Sequence, residues 1–141
     1  MKVGCKVTRA AARIKAGIDK HVYLGNLDAV RDWGYAKEYV EGMWAMLQAP
    51  QPCDYVLATG TAYTVRDFVQ IAFEHAGLDW EKAVKFDDRY LRASEVDALI
   101  GDASKAEAEL GWKATVLVPE LARLMVDSDY QAALAEVRSY G

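Results

Sequence analysis

The 141-residue sequence is poor in cysteine, histidine and proline, with two, two and three of each. Cys5 and Cys53 lie far apart with no neighbouring Cys and no His-rich pattern, so there is neither a zinc-ligand spacing nor a disulfide framework. A reducing cytoplasm is the expected setting. Long apolar runs are missing too: Lys2, Lys6 and Arg9 are followed by no signal-like or membrane-spanning stretch, and no lipidation motif is present. Positive charge is not in excess. The 17 Lys and Arg are scattered among 21 Asp and Glu for a net charge of -4, which argues against a nucleic-acid partner. His21 and His75 are isolated and read as ordinary surface residues.

What is present is a globular composition, 52% hydrophobic and 27% charged. A domain of this length buries roughly two-thirds of the surface of its unfolded chain, and no repeat or flexible linker divides it, so residues 1–141 read as one unit. Val7, Ala11, Ile14 and Ile18 mark a first helix stopped by Gly17. "HVYLGN" reads as a short strand with Val22 and Leu24 on one face. A second helix is expected from near Asp32, with Trp33, Ala36, Val40, Met43 and Leu47 as its buried stripe and Pro50 and Pro52 ending it.

Tyr55 to Ala58 reads as a buried strand. Thr64 and Asp67 form an imperfect capping box for a third helix whose apolar face is Val65, Phe68, Val69, Ala72 and Phe73, with Gly77 as its C-cap. Val84 and Phe86 alternate with Lys85 and Asp87 as a strand with one wet face. Ser104 and Glu107 read as a capping box for a short helix ended by Gly111. Pro119 stands in the first turn of a long last helix with Leu121, Leu124, Met125, Leu134 and Val137 as its core face. Strands alternating with helices predict an α/β fold with parallel pairing, although three short strands make a poor sheet.

Nicotinamide enzymes on such a scaffold need a glycine-rich turn after the first strand, and none is found. "TGTAYT" carries a single Gly and reads as a turn with a helix cap, while Tyr35 and Lys37 are too close in sequence to share a helix face. Two arginines stand out instead: Arg31 in "VRDWG" and Arg92 in "RYLRASEVD". Their planar, permanently charged forks match the oxygens of a diphosphate, and Glu95 is placed to accept from ribose hydroxyls. By residue type alone, the favoured reading is a surface Arg31 paired with Asp32 and a solvated Arg92.

At these residues the sequence resembles the nucleotide-sugar branch of the extended short-chain dehydrogenases, and within it the GDP-mannose 4,6-dehydratase family. "KVTRAAARIKAG", "LGNLDAVRDWGYAKEYVEGMW", "ATGTAYTVRDFV", "LRASEVDALIGDASKAEAELGW" and "LARLMVDSD" match in type and order, from about Lys6 to Asp129. The resemblance implies a partial nucleotide-sugar dehydratase fold: the C-terminal substrate-binding region with the late strand and helices of the Rossmann domain. The glycine-rich turn and the Thr, Glu, Tyr and Lys catalytic set are implied to lie outside this chain, leaving it inactive alone.

The same resemblance implies that GDP-mannose is held by Lys6 and Arg31 toward its phosphates, Gly25 through its backbone, Arg92 on the diphosphate and Glu95 on the ribose. NADP would take a hydride from mannose carbon four, water would leave across carbons five and six, and the hydride would return to carbon six. The sequence departs from the family pattern at Gly4 and Cys5, where a Thr-Arg pair is usual, and at Ala93, where Pro is usual. Partners implied are GDP-mannose and a cofactor-binding half or full-length subunit, with a homo-oligomer as a further expectation. An alternative is a non-catalytic nucleotide-sugar-binding or subunit-docking module, whose second and third helices carry bare apolar stripes.

Overall fold

The structure is a computed structural model that describes residues 3–90 and 98–139. Three helices build its main core: α1 (Val3–Lys15), α3 (Val65–Ala76) and α6 (Val118–Ser139) pack pairwise against one another. Val7 and Ala11, one turn apart on α1, are fully buried, and the chain leaves the helix at Gly17 with φ +77°. In that left-handed conformation only glycine avoids a steric penalty. Arg13 fastens the far end of α1 by donating to Asp19 at 2.7 Å and to Glu136 of α6 at 2.5 Å.

α3 follows its sequence signals closely. Thr64 Oγ1 accepts from the Asp67 N–H and the Asp67 carboxylate accepts from the Thr64 N–H at 2.9 Å, completing the capping box. Gly77 closes the helix at φ +76°. Its expected stripe of Val65, Phe68, Val69, Ala72 and Phe73 is buried within this chain, so α3 is not bare. α6 differs from expectation: Val118, Leu121, Ala122, Val126 and Ala133 are its buried residues, while Leu124 and Val137 face solvent. α1 and α6 pack against each other and both bury small side chains, Ala11 and Ala12 on α1 and Ala122 and Ala133 on α6, which hold packed helices less far apart than larger residues do.

β1 (Val22–Leu24) pairs in parallel with β4 (Val84–Phe86), which follows the short helix α4 (Trp80–Ala83). Val22 and Leu24 point inward as expected, but Phe86 is exposed at the strand end and not on a packed face. A second sheet was not legible in sequence. Its central strand β2 (Val30–Arg31) pairs antiparallel with β3 (Tyr63–Thr64) and in parallel with β5 (Ala98–Leu99). Two-residue ladders are too short to carry an alternating pattern.

α2 (Ala36–Gln48) begins four residues later than expected, and its only fully buried residue is Gly42. Of the expected buried stripe, Ala36, Val40, Met43 and Leu47 are exposed, while Trp33 precedes the helix and packs half-buried against the main core. Tyr55 to Ala58 likewise form no strand; this segment has no ladder partner among the described residues. α5 (Ser104–Leu110) also differs at its start: Ser104 lies inside the helix, Ala103 is the N-cap, and the Asp102 carboxylate accepts from the Ser104 N–H at 2.9 Å. Gly111 ends it at φ +65° as expected.

A second, smaller core joins α2 to α5. It contains Ala106, Trp112 and Ala114, with Tyr39, Tyr55 and Leu57 packed around them. Trp112 Nε1–H donates to the Glu38 carbonyl at 2.8 Å, and the Glu38 carboxylate accepts from the Thr115 hydroxyl and from the N–H groups of Thr115 and Val116. Burial raises the Glu38 pKa, but these hydrogen bonds outweigh it and the net direction is down. A lowered folded-state value means that stability is present above the ordinary Glu range and is lost as pH falls through it. Glu38→Gln is therefore expected to lose about 1 kcal/mol near neutrality, with wild type and variant converging at acid pH in melts taken across a pH series.

The Tyr39 ring lies on Gly34. A Cβ there would sit 2.2 Å from Tyr39 Oη and 2.5 Å from Cζ, so a side chain must displace the ring. Because the Tyr39 ring also meets that of Trp112, tilted by 59° with centroids 5.7 Å apart, the displacement reaches the smaller core. Gly34→Ala is expected to lower stability by about 2 kcal/mol, read as a lower urea midpoint.

Candidate functional site

The site expected from sequence begins at Lys6 on the second turn of α1. Its Nζ donates to the Tyr23 carbonyl of β1 at 2.5 Å and stands 3.3 Å from the centroid of the Tyr90 ring. That ring ends a single 3-10 turn, Asp88–Tyr90, which follows β4. Within the turn Arg89 binds the Asp87 carboxylate at 2.6 Å. The Arg89 hydrogen bonds, with a smaller contribution from Lys6, hold Asp87 below the usual carboxylate range.

Gly25 follows β1 at a half-buried bend. The loop after it is fixed at several points. The Asn26 side chain accepts from the Asp28 N–H at 2.9 Å, a local turn of the kind Asn favours. Leu27 and Ala29 carbonyls accept from the first two N–H groups of α3, at 2.8 and 3.0 Å. These groups have no partner within a helix, so the loop completes the α3 N-terminus. Arg66 adds a bond to Asp28 at 2.8 Å.

The loop delivers the chain to β2, where Arg31 is half-buried and its Nη1 donates to the Val30 carbonyl at 2.7 Å. Asp32, the partner that a purely surface reading gave Arg31, is engaged elsewhere. One carboxylate oxygen accepts from the Thr59 N–H at 3.0 Å and the Thr59 hydroxyl at 2.6 Å; the other accepts from Gly60 N–H at 3.0 Å and Gly101 N–H at 3.3 Å. Sequence reasoning gave Asp32 no such role. Its partners are mostly backbone amides, which leave no residue-type signature.

Arg92 and Glu95 lie outside the described residues, as does Ala93. The described residues on either side of them are placed: Tyr90 lies against Lys6, and Ala98 is in register with Val30, next to Arg31. Gly4, one of the departures from the family pattern, sits under Phe68 and Trp33, while Cys5 lines an open cavity of about 370 Å³ with Arg9, Tyr35 and Asp129. Both cysteines are free thiols. Among the described residues no cluster of His, Cys, Asp or Glu could hold a metal, and no helix is long and apolar enough to cross a membrane.

Residues 2–125 match the family model described as GDP-mannose 4,6 dehydratase. Over 131 residues the chain is 50% identical to "GDP-mannose 4,6 dehydratase 1" of Arabidopsis thaliana, covering 93% of this chain and 36% of that protein. It is 43% identical to the Homo sapiens "GDP-mannose 4,6 dehydratase", covering 89% and 38%. Among solved structures, RMD from Pseudomonas aeruginosa complexed with NADPH shares the fold with a TM-score of 0.82 at 17% identity, over 93% of this chain and 43% of that one. UDP-glucose 4-epimerase from Bifidobacterium longum, in complex with NAD+ and UDP, matches with a TM-score of 0.71 at 26% identity, over 89% and 39%. The chain thus spans about two-fifths of the length of these relatives. With most of its residues inside the family match, this chain belongs to the GDP-mannose 4,6-dehydratase family.

Proposed function

We propose that residues 1–141 act as one unit, the C-terminal substrate-binding part of a GDP-mannose 4,6-dehydratase that grips the GDP portion of GDP-mannose. Lys6 and Arg31 face the phosphates, Gly25 offers backbone, Arg92 binds the diphosphate and Glu95 the ribose hydroxyls. One observation carries this reading: the segment bearing Arg92 and Glu95 leaves the ring on which Lys6 rests and enters the strand paired beside Arg31. Lys6 and Arg31 thus lie beside the described residues that flank this stretch in sequence, Tyr90 and Ala98. Guanidinium and ammonium groups with an acidic neighbour suit a nucleoside diphosphate, whose negative charge is concentrated on two phosphates next to a diol.

Cofactor chemistry is assigned to the part of the fold that this chain does not span. NADP bound there would supply the hydride acceptor for conversion of GDP-mannose to GDP-4-keto-6-deoxymannose, a net lyase reaction in the cytoplasm. This chain's share is to hold the nucleotide and fix the position of the sugar, a use of binding energy remote from the reacting bonds. Alone it turns over no substrate.

Calorimetric titration with GDP-mannose tests the assignment. Arg31→Ala and Arg92→Ala are each expected to weaken binding by about tenfold or more, the scale of losing a charge-assisted pair. Heat that persists unchanged in both variants would remove the diphosphate role.

A further inference from the structure

Lys6 is held without being neutralised. A lysine ammonium has three protons on a flexible four-carbon stem and samples many positions unless something confines it. Here the Tyr23 carbonyl accepts one proton at 2.5 Å, and the centroid of the Tyr90 ring lies 3.3 Å away. Both holders are uncharged, and among the described residues Lys6 makes no ion pair. The Asp87 carboxylate, whose field Lys6 shares, is taken instead by Arg89, through Nε at 3.0 Å and Nη2 at 2.6 Å. A carbonyl and a ring face engage two ammonium protons at most, so at least one is left for an anion.

Tyr90 does little for packing. It is 50% exposed and belongs to neither core cluster. Its backbone is nevertheless fixed. The Asp87 N–H donates to the Leu24 carbonyl at 3.0 Å, which ties the residue after β4 back to β1, and the Tyr90 N–H donates to the Asp87 carbonyl at 3.0 Å. The Asp87 carboxylate closes the turn by accepting from the Arg89 N–H at 3.0 Å. The turn thus presents a half-exposed ring whose one defined contact is a cation.

We propose that Tyr90 is a positioning residue of the nucleotide site, its ring face confining the Lys6 ammonium beside the Tyr23 carbonyl so that a full positive charge is fixed where a phosphate oxygen is received. This rests on the assignment of Lys6 to a phosphate; Tyr90 itself touches no ligand. A cation confined by neutral groups keeps its charge and has less freedom to lose on binding. A carboxylate in the same place would confine it as well and cancel the charge.

The test titrates GDP-mannose calorimetrically into wild type, Tyr90→Phe, Tyr90→Leu, Lys6→Met and the Lys6→Met, Tyr90→Leu double variant. The Phe variant keeps the ring face and is expected to bind within about twofold of wild type, and the Leu variant about fivefold more weakly. In the Lys6→Met background Tyr90→Leu is expected to change affinity by less than about twofold, because residue 90 acts only through the ammonium. In NMR spectra of the nucleotide-free chain, the ring current of residue 90 should move the Lys6 ε-methylene protons upfield in wild type and the Phe variant and not in the Leu variant. The Leu variant should melt within about 2 °C of wild type.

A Leu variant that binds as tightly as wild type overturns the proposal, as does a Phe variant as weak as Leu. A Tyr90→Leu loss that persists in full without Lys6 means that the ring touches the nucleotide directly, and overturns it too. So does a wild-type spectrum without the upfield shift, or a Leu variant whose melting point falls by about 5 °C or more. In each of these cases wild type still binds GDP-mannose, and only the part given to Tyr90 is lost. A wild-type chain that binds no GDP-mannose removes the site reading itself, and Tyr90's part with it.

Discussion

Asp32→Ala is expected to destabilise the chain by about 3 kcal/mol and to lower its melting temperature by about 10 °C. The carboxylate accepts four hydrogen bonds from three residues that are remote in sequence, Thr59, Gly60 and Gly101. It thereby closes the chain around β2 from both sides. Removing it leaves backbone N–H groups in a half-buried place without an acceptor, and an unmet donor costs more than an average bond contributes. Asp32→Asn keeps one acceptor oxygen and should fall between wild type and Ala. Chemical unfolding of the three proteins checks the order; an Ala variant within about 0.5 kcal/mol of wild type would show that the loop is held by other contacts.

Phe68→Ala is expected to cost about 4 kcal/mol. Phe68 is among the largest fully buried side chains, and its ring meets Trp33 with centroids 5.1 Å apart. Gly4 packs against the same ring edge, 3.5 Å from a Cβ position there. A cavity at this point has few ways to collapse, because α1, α3 and the residues after β2 each contribute a wall. The loss should appear as a lower urea midpoint at unchanged slope. The proposed nucleotide site predicts that affinity for GDP-mannose falls with it, since Trp33 follows Arg31 and Asp32 directly and loses the ring on which it rests.

Much of the fold was readable because its signals are local. The α3 start at Thr64 and Asp67 and its end at Gly77 are short-range hydrogen-bonding devices that act through neighbouring residues. β1 was readable for a similar reason, with Val22 and Leu24 inward on either side of Tyr23. The α2 stripe was also readable as a stripe, but periodicity states only that a helix has an apolar face and not what lies against it. The strand expected at Tyr55 to Ala58 follows the same rule: the residues favour extension, while a ladder needs a partner that the described residues do not place beside them. Strands of two residues, such as β2 and β5, lie below the length at which alternation can register.

The candidate site divides the same way. Lys6, Gly25 and Arg31 were reached through residue type and family resemblance, and the structure sets Lys6 of α1 against β1 and Arg31 on β2, the two strands being joined by the fixed loop that starts at Gly25. The bonds of Asp32 to Thr59, Gly60 and Gly101 and the ring of Tyr90 under Lys6 were not reached, because each depends on long-range geometry. Glu38 belongs with them: its partners Thr115 and Val116 lie some eighty positions away and are met chiefly through main-chain N–H groups.

The central claim is that this chain reads a diphosphate, and a paired titration tests it most directly. Purified chain is titrated with GDP and, separately, with GMP, under one buffer and one salt concentration. Two cationic forks on two phosphates predict that GDP binds about 100-fold more tightly, close to 2.7 kcal/mol, and that Arg31→Ala narrows the gap. Equal affinities for the two nucleotides, or no binding of either, would contradict it.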